Sequence, residues 1–473
     1  MPLYRRSPPG LQNVIGTVYG SYLNFWRYGP AAERLVQEAL ARERWSADKW
    51  RAWQAERLRS QLRHAAEHVP YYREQWRARR EAGDQSSVEQ IENWPVLRKE
   101  ALRADPSAFL AEDRRGRALF RQDTSGTSGT PITTWRSRAT MRAWYALVEA
   151  RWRRWYGVSR HAPWALLGGQ EVTPVERETP PFWLWNKAGN QLYMSTLHLN
   201  ASTAPAYLDA LRAHRVEHIY AYSSSIAELA RLALDGQLKV PDIKVVVTNA
   251  EPLEPHQREA VARAFGCPVH ASYGMSEAVA GASECEHGRL HLWPEAGYLE
   301  VLEDDHDRLV RRGETGRLVS TGLLNFDMPL IRYEIGDRGA LGKALGDAAC
   351  DCGRSLPTLA RVEGRMADNL VAVDGSKVFW LNPVLYGQPI REAQIVQESR
   401  DLVIVKVVPD EGFSSASVAA ISQGLKRRLG DLRVEVHRVE RIERGPNGKF
   451  RPVVNRLGPS ERTAALVAES RGG

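Results

Sequence analysis

Thr124-Ser-Gly-Thr-Ser-Gly-Thr-Pro131 is the stretch on which the interpretation of this 473-residue chain depends. It offers five hydroxyl groups and two glycines, which let a backbone approach a ligand closely and present successive N–H groups to an anion. The same composition is common in flexible linkers. It is not a Walker motif, because Gly-Lys-Ser/Thr is missing. These eight residues alone do not decide between a polyphosphate-binding site and a flexible linker.

Helical patterns surround this stretch on both sides. Apolar residues recur at helical spacing in Ala31–Leu40 and Trp50–Ala66, which predicts two helices before it. Ser46 is a suitable N-cap for the second helix, and Pro70 is expected to end it. Thr140–Trp155 is predicted to be a further helix after the stretch.

The next segment alternates buried strands with helices. Strands are predicted at 164–168, 218–222 and 244–248, and helices at 202–213, 225–234 and 255–265. This alternation is typical of an α/β domain with a largely parallel sheet. Gly297–Arg338 has short alternating strands broken by Gly and Asp, which predicts a small β-rich subdomain.

A domain boundary is predicted near Val362-Glu-Gly-Arg365. Beyond it, strand pairs, one helix at 414–429 and a strand at 433–439 predict a compact α+β domain of about 110 residues. The expected organisation is therefore an Arg-rich helical region (1–80), a large domain (81–362) and a small C-terminal domain (363–473).

Composition narrows the class of protein. Hydrophobic residues make up 43% and charged residues 26%, as in ordinary globular proteins. No apolar run reaches the roughly 18 residues of a membrane helix, and no secretory signal is recognisable, so a cytoplasmic location is expected. The net charge of +8 resides in residues 1–80, with 15 Lys and Arg against 7 Asp and Glu. Such a region suits an acidic partner or an anionic membrane surface, or is simply a solvated helix face.

Three further segments carry candidate chemistry. Tyr273-Gly-Met-Ser-Glu277 supplies an aromatic ring, a hydroxyl and a carboxylate suited to a base, a phosphate and Mg²⁺. Asp337 ends a strand and suits the hydroxyls of a ribose. Lys449 lies on a Gly-x-Lys turn, where a loop can deliver a cation.

In this order the segments resemble the adenylate-forming superfamily, in particular its phenylacetate–CoA ligase branch. They are similar to the subgroup of ligase-like proteins associated with capsular or exopolysaccharide genes. The resemblance runs over nearly the whole chain and rests on HAAEHVPYYREQW, the Gly/Ser/Thr loop, VVVTNAEPL, SYGMSEA, MPLIRYEIGD, VEGRMADN, REAQIVQ and GPNGKF.

The resemblance implies a role for each matching residue. Ser125, Gly126, Thr127, Ser128, Gly129 and Thr130 are expected to bind the β- and γ-phosphates of ATP. The adenine is expected to lie against Asn249, Ala250, Glu251, Tyr273 and Gly274. Ser276 would contact the α-phosphate, and Glu277 would hold Mg²⁺. Asp337, supported by Arg365, would bind the ribose, and Lys449 would bridge the carboxylate and the α-phosphate.

The implied reaction is activation of a small carboxylic acid as an acyl-adenylate, followed by transfer to coenzyme A. The alternatives are transfer to a carrier protein or to an amine or hydroxyl of a polysaccharide precursor, and a catalytically degenerate nucleotide-binding scaffold. Two departures keep the scaffold open: Thr130 stands where relatives often have lysine, and Ala367, followed by Asp368, occupies the usual hinge position. A nucleic-acid partner is not expected. Residues 1–80 are the expected contact with a membrane or a polysaccharide assembly.

Cysteine spacing indicates a second site. Cys350 and Cys352 place two thiols on one turn, and Cys285 and His291 complete a Cys₃His set suited to tetrahedral Zn²⁺. Some relatives in the branch carry a similar structural zinc, by resemblance. His287 is a competing imidazole, and buried free thiols are the alternative.

Overall fold

The computed structural model describes residues 7–124, 131–169, 172–174, 176–344, 347, 350–365, 369–378, 381–445 and 449–458. The chain divides into two compact units, Met1–Ile335 with Gly339–Val362, and Gly336–Arg338 with Glu363–Gly473. Ten α-helices lie in the described residues: α1 Pro9–Arg27, α2 Ala32–Arg42, α3 Ala47–His68, α4 Pro70–Glu81, α5 Lys99–Ala104, α6 Arg138–Trp152, α7 Ala204–Ala213, α8 Ser223–Asp235, α9 Pro255–Phe265 and α10 Ser415–Leu429.

Twenty strands complete the described regular structure. The first fourteen are β1 Phe120–Asp123, β2 Thr133–Arg136, β3 Trp164–Gly168, β4 Trp183–Asn186, β5 Gln191–Ser195, β6 His218–Tyr222, β7 Val245–Asn249, β8 Val269–Gly274, β9 Gly281–Glu284, β10 Leu290–Leu292, β11 Gly297–Leu302, β12 Gly316–Gly322, β13 Tyr333–Leu341 and β14 Thr358–Arg365. The last six are β15 Leu370–Val371, β16 Lys377–Val378, β17 Ile390–Ser399, β18 Leu402–Pro409, β19 Arg433–Arg438 and β20 Val453–Asn455.

A twelve-stranded sheet organises the large unit, in the order β11-β12-β13-β14-β10-β9-β8-β7-β6-β3-β5-β4. Strands β8, β7, β6, β3 and β5 run parallel, which confirms the predicted α/β class. Apolar helix faces cover these strands, since α7, α8 and α9 bury Leu208, Leu229 and Val261 against the strand residues Leu167, Ile219 and Val246.

Gly297–Arg338 was predicted to form a small β-rich subdomain of its own, and this prediction is wrong. Strand β9 pairs antiparallel to β8, and β11, β12 and β13 continue the same sheet. Alternating short strands look alike whether they start a new sheet or extend an old one, because pairing partners are set by tertiary contacts.

The first helices differ from expectation at two points. Pro70 does not merely end a helix: α3 ends at His68, and Pro70 is the first residue of α4. Proline suits this position because the first helical N–H has no partner within the helix. Ser46 caps α3 as predicted, since its hydroxyl accepts the N–H of Lys49 at 3.3 Å.

Residues 1–80 were predicted to be helical, but no bounds were predicted for helix α1. Gly10, Gly16 and Gly20 weaken its helical propensity. None of the helices in the described part of the chain has the length and apolar character needed to span a bilayer.

The smaller unit has the predicted α+β composition and its own core. Strands β19, β18, β17 and β20 form a four-stranded sheet, and the short strands β15 and β16 pair with each other. Helix α10 buries Ile421, Leu425 and Leu429 in this core.

Candidate active site

A β-hairpin holds the Gly/Ser/Thr stretch at both ends. Strand β1 pairs antiparallel to β2, and beyond them the N–H of Thr124 donates to the carbonyl of Ile132 at 2.9 Å. The N–H of Ile132 in turn donates to the Thr124 hydroxyl at 2.9 Å. Residues 125–130, which carry the predicted phosphate contacts, lie outside the described residues.

The predicted adenine segment begins where β7 ends. Asn249 is the last residue of β7 and lies opposite Tyr222, the last residue of the neighbouring parallel strand β6. Ala250 adopts a left-handed backbone with φ of 63°, which turns the chain sharply at the sheet edge. The carboxyl ends of adjacent parallel strands form the crevice in which α/β sheets bind ligands.

Glu251 is tied to the start of α8. Its Oε2 accepts the N–H of Ser224 at 2.9 Å, and its carbonyl accepts the Ser223 hydroxyl at 3.2 Å. The positive end of the helix dipole favours a carboxylate here. Among the described residues no donor reaches the buried Oδ1 of Asn249, so this acceptor is suited to a ligand N–H.

Tyr273 and Gly274 end β8, the strand next to β7 in the sheet, so they lie at the same edge as Asn249. Gly274 and Ser276 are exposed, whereas Glu277 is buried. The Tyr333 hydroxyl donates to Glu277 Oε1 at 2.7 Å, which fixes the orientation of this carboxylate.

Arg136 connects the segment 273–277 to the hairpin of β1 and β2. It is the last residue of β2, and its guanidinium donates to the carbonyl of Ser276. Burial lowers the pKa of Arg136 to about 10, and the arginine is still charged at neutral pH. The structure therefore brings the anchor of the Gly/Ser/Thr loop next to Ser276 and Glu277.

Sequence reasoning missed Arg136 and Tyr333. Tyr333 lies inside the motif MPLIRYEIGD and is fully buried. A buried tyrosine needs a hydrogen-bond partner for its hydroxyl, and this is the signal that would have pointed to a nearby polar group.

The other predicted residues belong to the smaller unit. Asp337 is buried on β13, and its Oδ1 lies 3.0 Å from Nε of Arg365 on β14, so the predicted pair is present. Lys449 lies in the C-terminal part of the chain, and its carbonyl accepts the N–H of Gly445 at 3.0 Å. Ala367 and Asp368 lie outside the described residues.

The predicted Cys₃His set comes together in the large unit. One ligand atom from each of Cys285, His291, Cys350 and Cys352 lies within 4.8 Å of all the others. The Cys285 and Cys350 sulfurs are 3.9 Å apart, and the Cys352 sulfur lies 3.4 Å from Nε2 of His291. His291, and not His287, is the imidazole of this group.

Two turns present these thiols. The N–H of Gly288 donates to the carbonyl of Cys285, and the N–H of Gly353 donates to the carbonyl of Cys350. His291 Nδ1 lies 3.2 Å from the carbonyl of Leu356, so it carries the proton and leaves Nε2 facing Cys352. Burial lowers the pKa of His291 to about 4, and the ring is therefore neutral at pH 7.

Comparison with known proteins agrees with this architecture. Residues 179–327 match the family described as AMP-binding enzyme, and residues 372–456 match the CapK C-terminal domain. The chain is 23% identical over 462 residues to Protein CapK of Staphylococcus aureus, covering 96% of this chain and 99% of the relative. It is 24% identical over 440 residues to phenylacetate-coenzyme A ligase of Aromatoleum evansii, covering 88% and 96%.

The AMP-binding enzyme match and the phenylacetate-coenzyme A ligase relatives link the chain to the adenylate-forming superfamily. Its fold is similar to that of 2-hydroxyisobutyryl-CoA ligase in the postadenylation state in complex with R3-HIB-AMP, with a TM-score of 0.65 and 21% identity. That match covers 91% of this chain and 93% of the ligase. The sequence relatives include phenylacetate-coenzyme A ligases, and the CapK-like subgroup fits. The resemblance drawn from the sequence motifs is confirmed at this level.

Proposed function

We propose that the protein activates a small carboxylic acid with ATP and Mg²⁺ as an acyl-adenylate and then transfers the acyl group to coenzyme A. The observation that carries this proposal is the arrangement of Glu277. Its carboxylate is oriented by Tyr333 beside the exposed Ser276, and Arg136 links this segment to the hairpin of the phosphate loop. A scaffold that only bound nucleotide would not need an oriented, buried carboxylate at this point.

The described residues fit a nucleotide. The unpartnered Oδ1 of Asn249 suits the amino group of a purine, and Tyr273 offers a ring at the same sheet edge. Glu277 has one oxygen hydrogen-bonded to Tyr333 and retains acceptor capacity for a cation. Magnesium, when bound, neutralises charge on the phosphates. Asp337, oriented by Arg365, is proposed to accept the ribose hydroxyls.

In the first half-reaction, an oxygen of the substrate carboxylate forms a bond to the α-phosphorus of ATP, and pyrophosphate leaves. Residues 125–130 are proposed to hold the departing phosphates, and Ser276 the α-phosphate. Lys449 supplies positive charge between the two anions that must approach each other. Alignment and charge neutralisation provide the rate, because the protein forms no covalent bond itself. In the second half-reaction a thiolate attacks the acyl carbon, and AMP leaves.

Carboxylate-dependent ATP–pyrophosphate exchange over a panel of acids tests the first half-reaction. Glu277→Ala and Lys449→Ala should each lower exchange by about a hundredfold or more, as when one strong electrostatic contact is removed. Glu259→Ala and Lys426→Ala are matched controls on exposed helix surfaces and should leave exchange unchanged. Intact ATP binding without exchange for any acid would favour the scaffold.

The acyl acceptor is tested separately with the first acid that supports exchange. Thioester formation is measured with coenzyme A, with a phosphopantetheinylated carrier protein and with amine or hydroxyl acceptors. We expect acyl-CoA. Exchange without acyl-CoA, combined with acylation of another acceptor, would assign the protein to that alternative. Because the reaction consumes ATP and coenzyme A, a cytoplasmic location is part of the proposal.

We also propose that the Cys₃His group binds structural Zn²⁺. Ligand sulfurs around tetrahedral zinc lie about 3.8 Å apart, given Zn–S bonds of about 2.3 Å. The Cys285–Cys350 separation of 3.9 Å matches this value. The Leu356 carbonyl orients His291, as partners of zinc-bound histidines commonly do.

Elemental analysis of the purified protein should find about one zinc per chain. Cys350→Ser should lose the metal and lower the thermal midpoint. Cys267→Ser changes a buried cysteine outside the group and should retain the metal. A stable wild-type protein without zinc would contradict the proposal.

A further inference from the structure

Helix α1 is oriented with its polar side against the protein. The Asn13 side chain accepts the N–H of Trp185 at 2.8 Å, and the Thr17 hydroxyl accepts the N–H of Lys187 at 3.1 Å. Asn24 donates to the carbonyl of Ala188 at 2.6 Å. Gly20 lies between them against the side chain of Asn186. These positions repeat at helical spacing, so one polar stripe attaches the helix to β4 and the turn after it.

The apolar side of α1 faces outward. Seven of the ten large hydrophobic residues that are exposed in the described structure lie on this helix: Leu11, Val14, Ile15, Val18, Tyr19, Tyr22 and Phe25. Val18 is 66% exposed and Val14 57%. At 100° per residue the seven side chains cover about 140° of the helix circumference. An apolar face this wide in water indicates an interaction surface.

A basic cleft adjoins the C-terminal end of this face. The cleft has a volume of about 620 Å³, and Trp26 of α1 forms part of its wall. Of the described residues that line it, four are arginines and one is acidic; the arginines are Arg57, Arg114, Arg117 and Arg138. The guanidinium of Arg138 lies 3.5 Å from the centre of the Phe25 ring, so positive charge and apolar surface are in direct contact.

We propose that this surface binds an anionic lipid bilayer, with α1 lying in the interface plane. An apolar helix face flanked by basic residues is the combination that binds such surfaces, through apolar burial and attraction to anionic headgroups. Residues 1–27 contain Arg5, Arg6 and Arg27 and no Asp or Glu. A second copy of the chain fits less well, because it would place the same positive charges against each other. The face is also wider than the narrow seam of a two-helix contact.

Co-sedimentation of the full chain with lipid vesicles tests this inference. We expect binding to phosphatidylcholine vesicles containing about one third phosphatidylglycerol, weak binding to pure phosphatidylcholine, and loss of binding as salt screens the charges. The double variant Val14→Ser and Val18→Ser should partition about tenfold less, because it removes two apolar contacts. Both side chains are exposed, so the fold should be retained, which circular dichroism checks.

Leu309→Ser is the matched control, since Leu309 is 65% exposed and lies outside α1. It should bind vesicles like the wild type. Absence of wild-type binding, equal binding to neutral vesicles, or unchanged binding of the double variant would each overturn the proposal. A dimer that the double variant dissociates would assign the face to a second copy instead. The inference does not depend on the proposed reaction, and ATP–pyrophosphate exchange of the double variant reports on that reaction independently.

Discussion

At the scale of single residues, the Tyr333–Glu277 hydrogen bond is the most informative contact. Tyr333→Phe removes the hydroxyl that donates to Glu277 at 2.7 Å and leaves the ring in place. Hydrogen bonds to charged groups contribute about 1.5–3 kcal/mol, so we expect roughly tenfold weaker exchange. Without this hydrogen bond the Glu277 carboxylate should be less well oriented. The Mg²⁺ concentration needed for half-maximal exchange should therefore rise.

Tyr207→Phe is the control for this variant. The Tyr207 hydroxyl is buried and donates to the carbonyl of Ser195 at 2.7 Å, away from the predicted site residues. Both variants lose one buried hydrogen bond and should lose similar stability. If both raise the Mg²⁺ requirement equally, or if neither does, Tyr333 is structural and does not position Glu277.

The buried His218 should make the stability of the folded protein depend on pH. It is fully buried on β6, and burial, with Arg153 and Lys244 nearby, lowers its pKa to about 3. The unfolded chain binds a proton near pH 6.5 whereas the folded chain does not, so stability falls as the pH drops from about 6.5 towards 3. Between pH 7.5 and 5, this residue should account for about 2 kcal/mol of lost stability.

Urea denaturation of the intact chain at both pH values measures this contribution. His218→Phe should reduce the difference between the two pH values by about 2 kcal/mol, whatever its effect at pH 7.5. His161→Gln replaces an exposed histidine and should leave the difference unchanged. An unaltered difference in His218→Phe would mean that His218 is protonated in the folded protein.

At the scale of elements, a buried ion network joins the C-terminal end of α2, helix α6 and the segment before β11. Arg151 of α6 is fully buried, donates to both oxygens of Glu295 at 2.9 Å, and contacts Glu43 at 3.1 Å. Burial raises the pKa of Glu43 even though Arg151 opposes the shift. Because all three charged groups are removed from water, the arginine and the two glutamates each need the opposite charge beside them.

Arg151→Leu should therefore destabilise the large unit by about 3–5 kcal/mol, the usual consequence of leaving buried charge uncompensated. Thermal unfolding followed by tryptophan fluorescence measures the loss. Arg59→Leu removes an exposed ion pair with Glu56 on α3 and should cost less than about 1 kcal/mol. Equal losses would show that the network contributes only packing.

Helices and strands could be predicted from the sequence wherever apolar residues recur with a clear period. Which strands pair with each other could not. Helix α9 occupies Pro255–Phe265 as predicted, because its proline start and glycine end are local signals. Strands β11 to β13 were assigned to a separate subdomain, although they extend the main sheet. Helix α1 was predicted only as part of a helical region, without bounds, because three glycines weaken its helical signal.

At the scale of the whole molecule, the order of motifs predicted the fold correctly, whereas the assignment of the site residues stays a prediction. Asn249 ends β7, and Glu277 lies three residues beyond the end of the adjacent parallel strand β8. Arg136 and Tyr333 were not predictable, since their contacts join residues 140 and 56 positions apart in the chain. Similarly, cysteine spacing suggested the Cys₃His group, and only the fold selected His291 over His287.

The smaller unit is predicted to fold without the rest of the chain. Its core is built from its own residues, with Leu370, Ile395, Val405 and Leu425 fully buried. A domain of this size can bury enough apolar surface to be stable alone. A fragment of residues 363–458 should therefore show a cooperative thermal transition, and the intact chain should show a corresponding one by calorimetry.

Leu425→Ala identifies that transition. Removing a buried leucine side chain costs about 2–5 kcal/mol, which should lower the midpoint by about 10 °C or more in a domain of roughly 100 residues. The shift should appear in the fragment and in one of two transitions of the intact chain, while the transition that Arg151→Leu lowers stays in place. A single transition that both variants lower equally would mean that the two units unfold as one, even though each has a separate core.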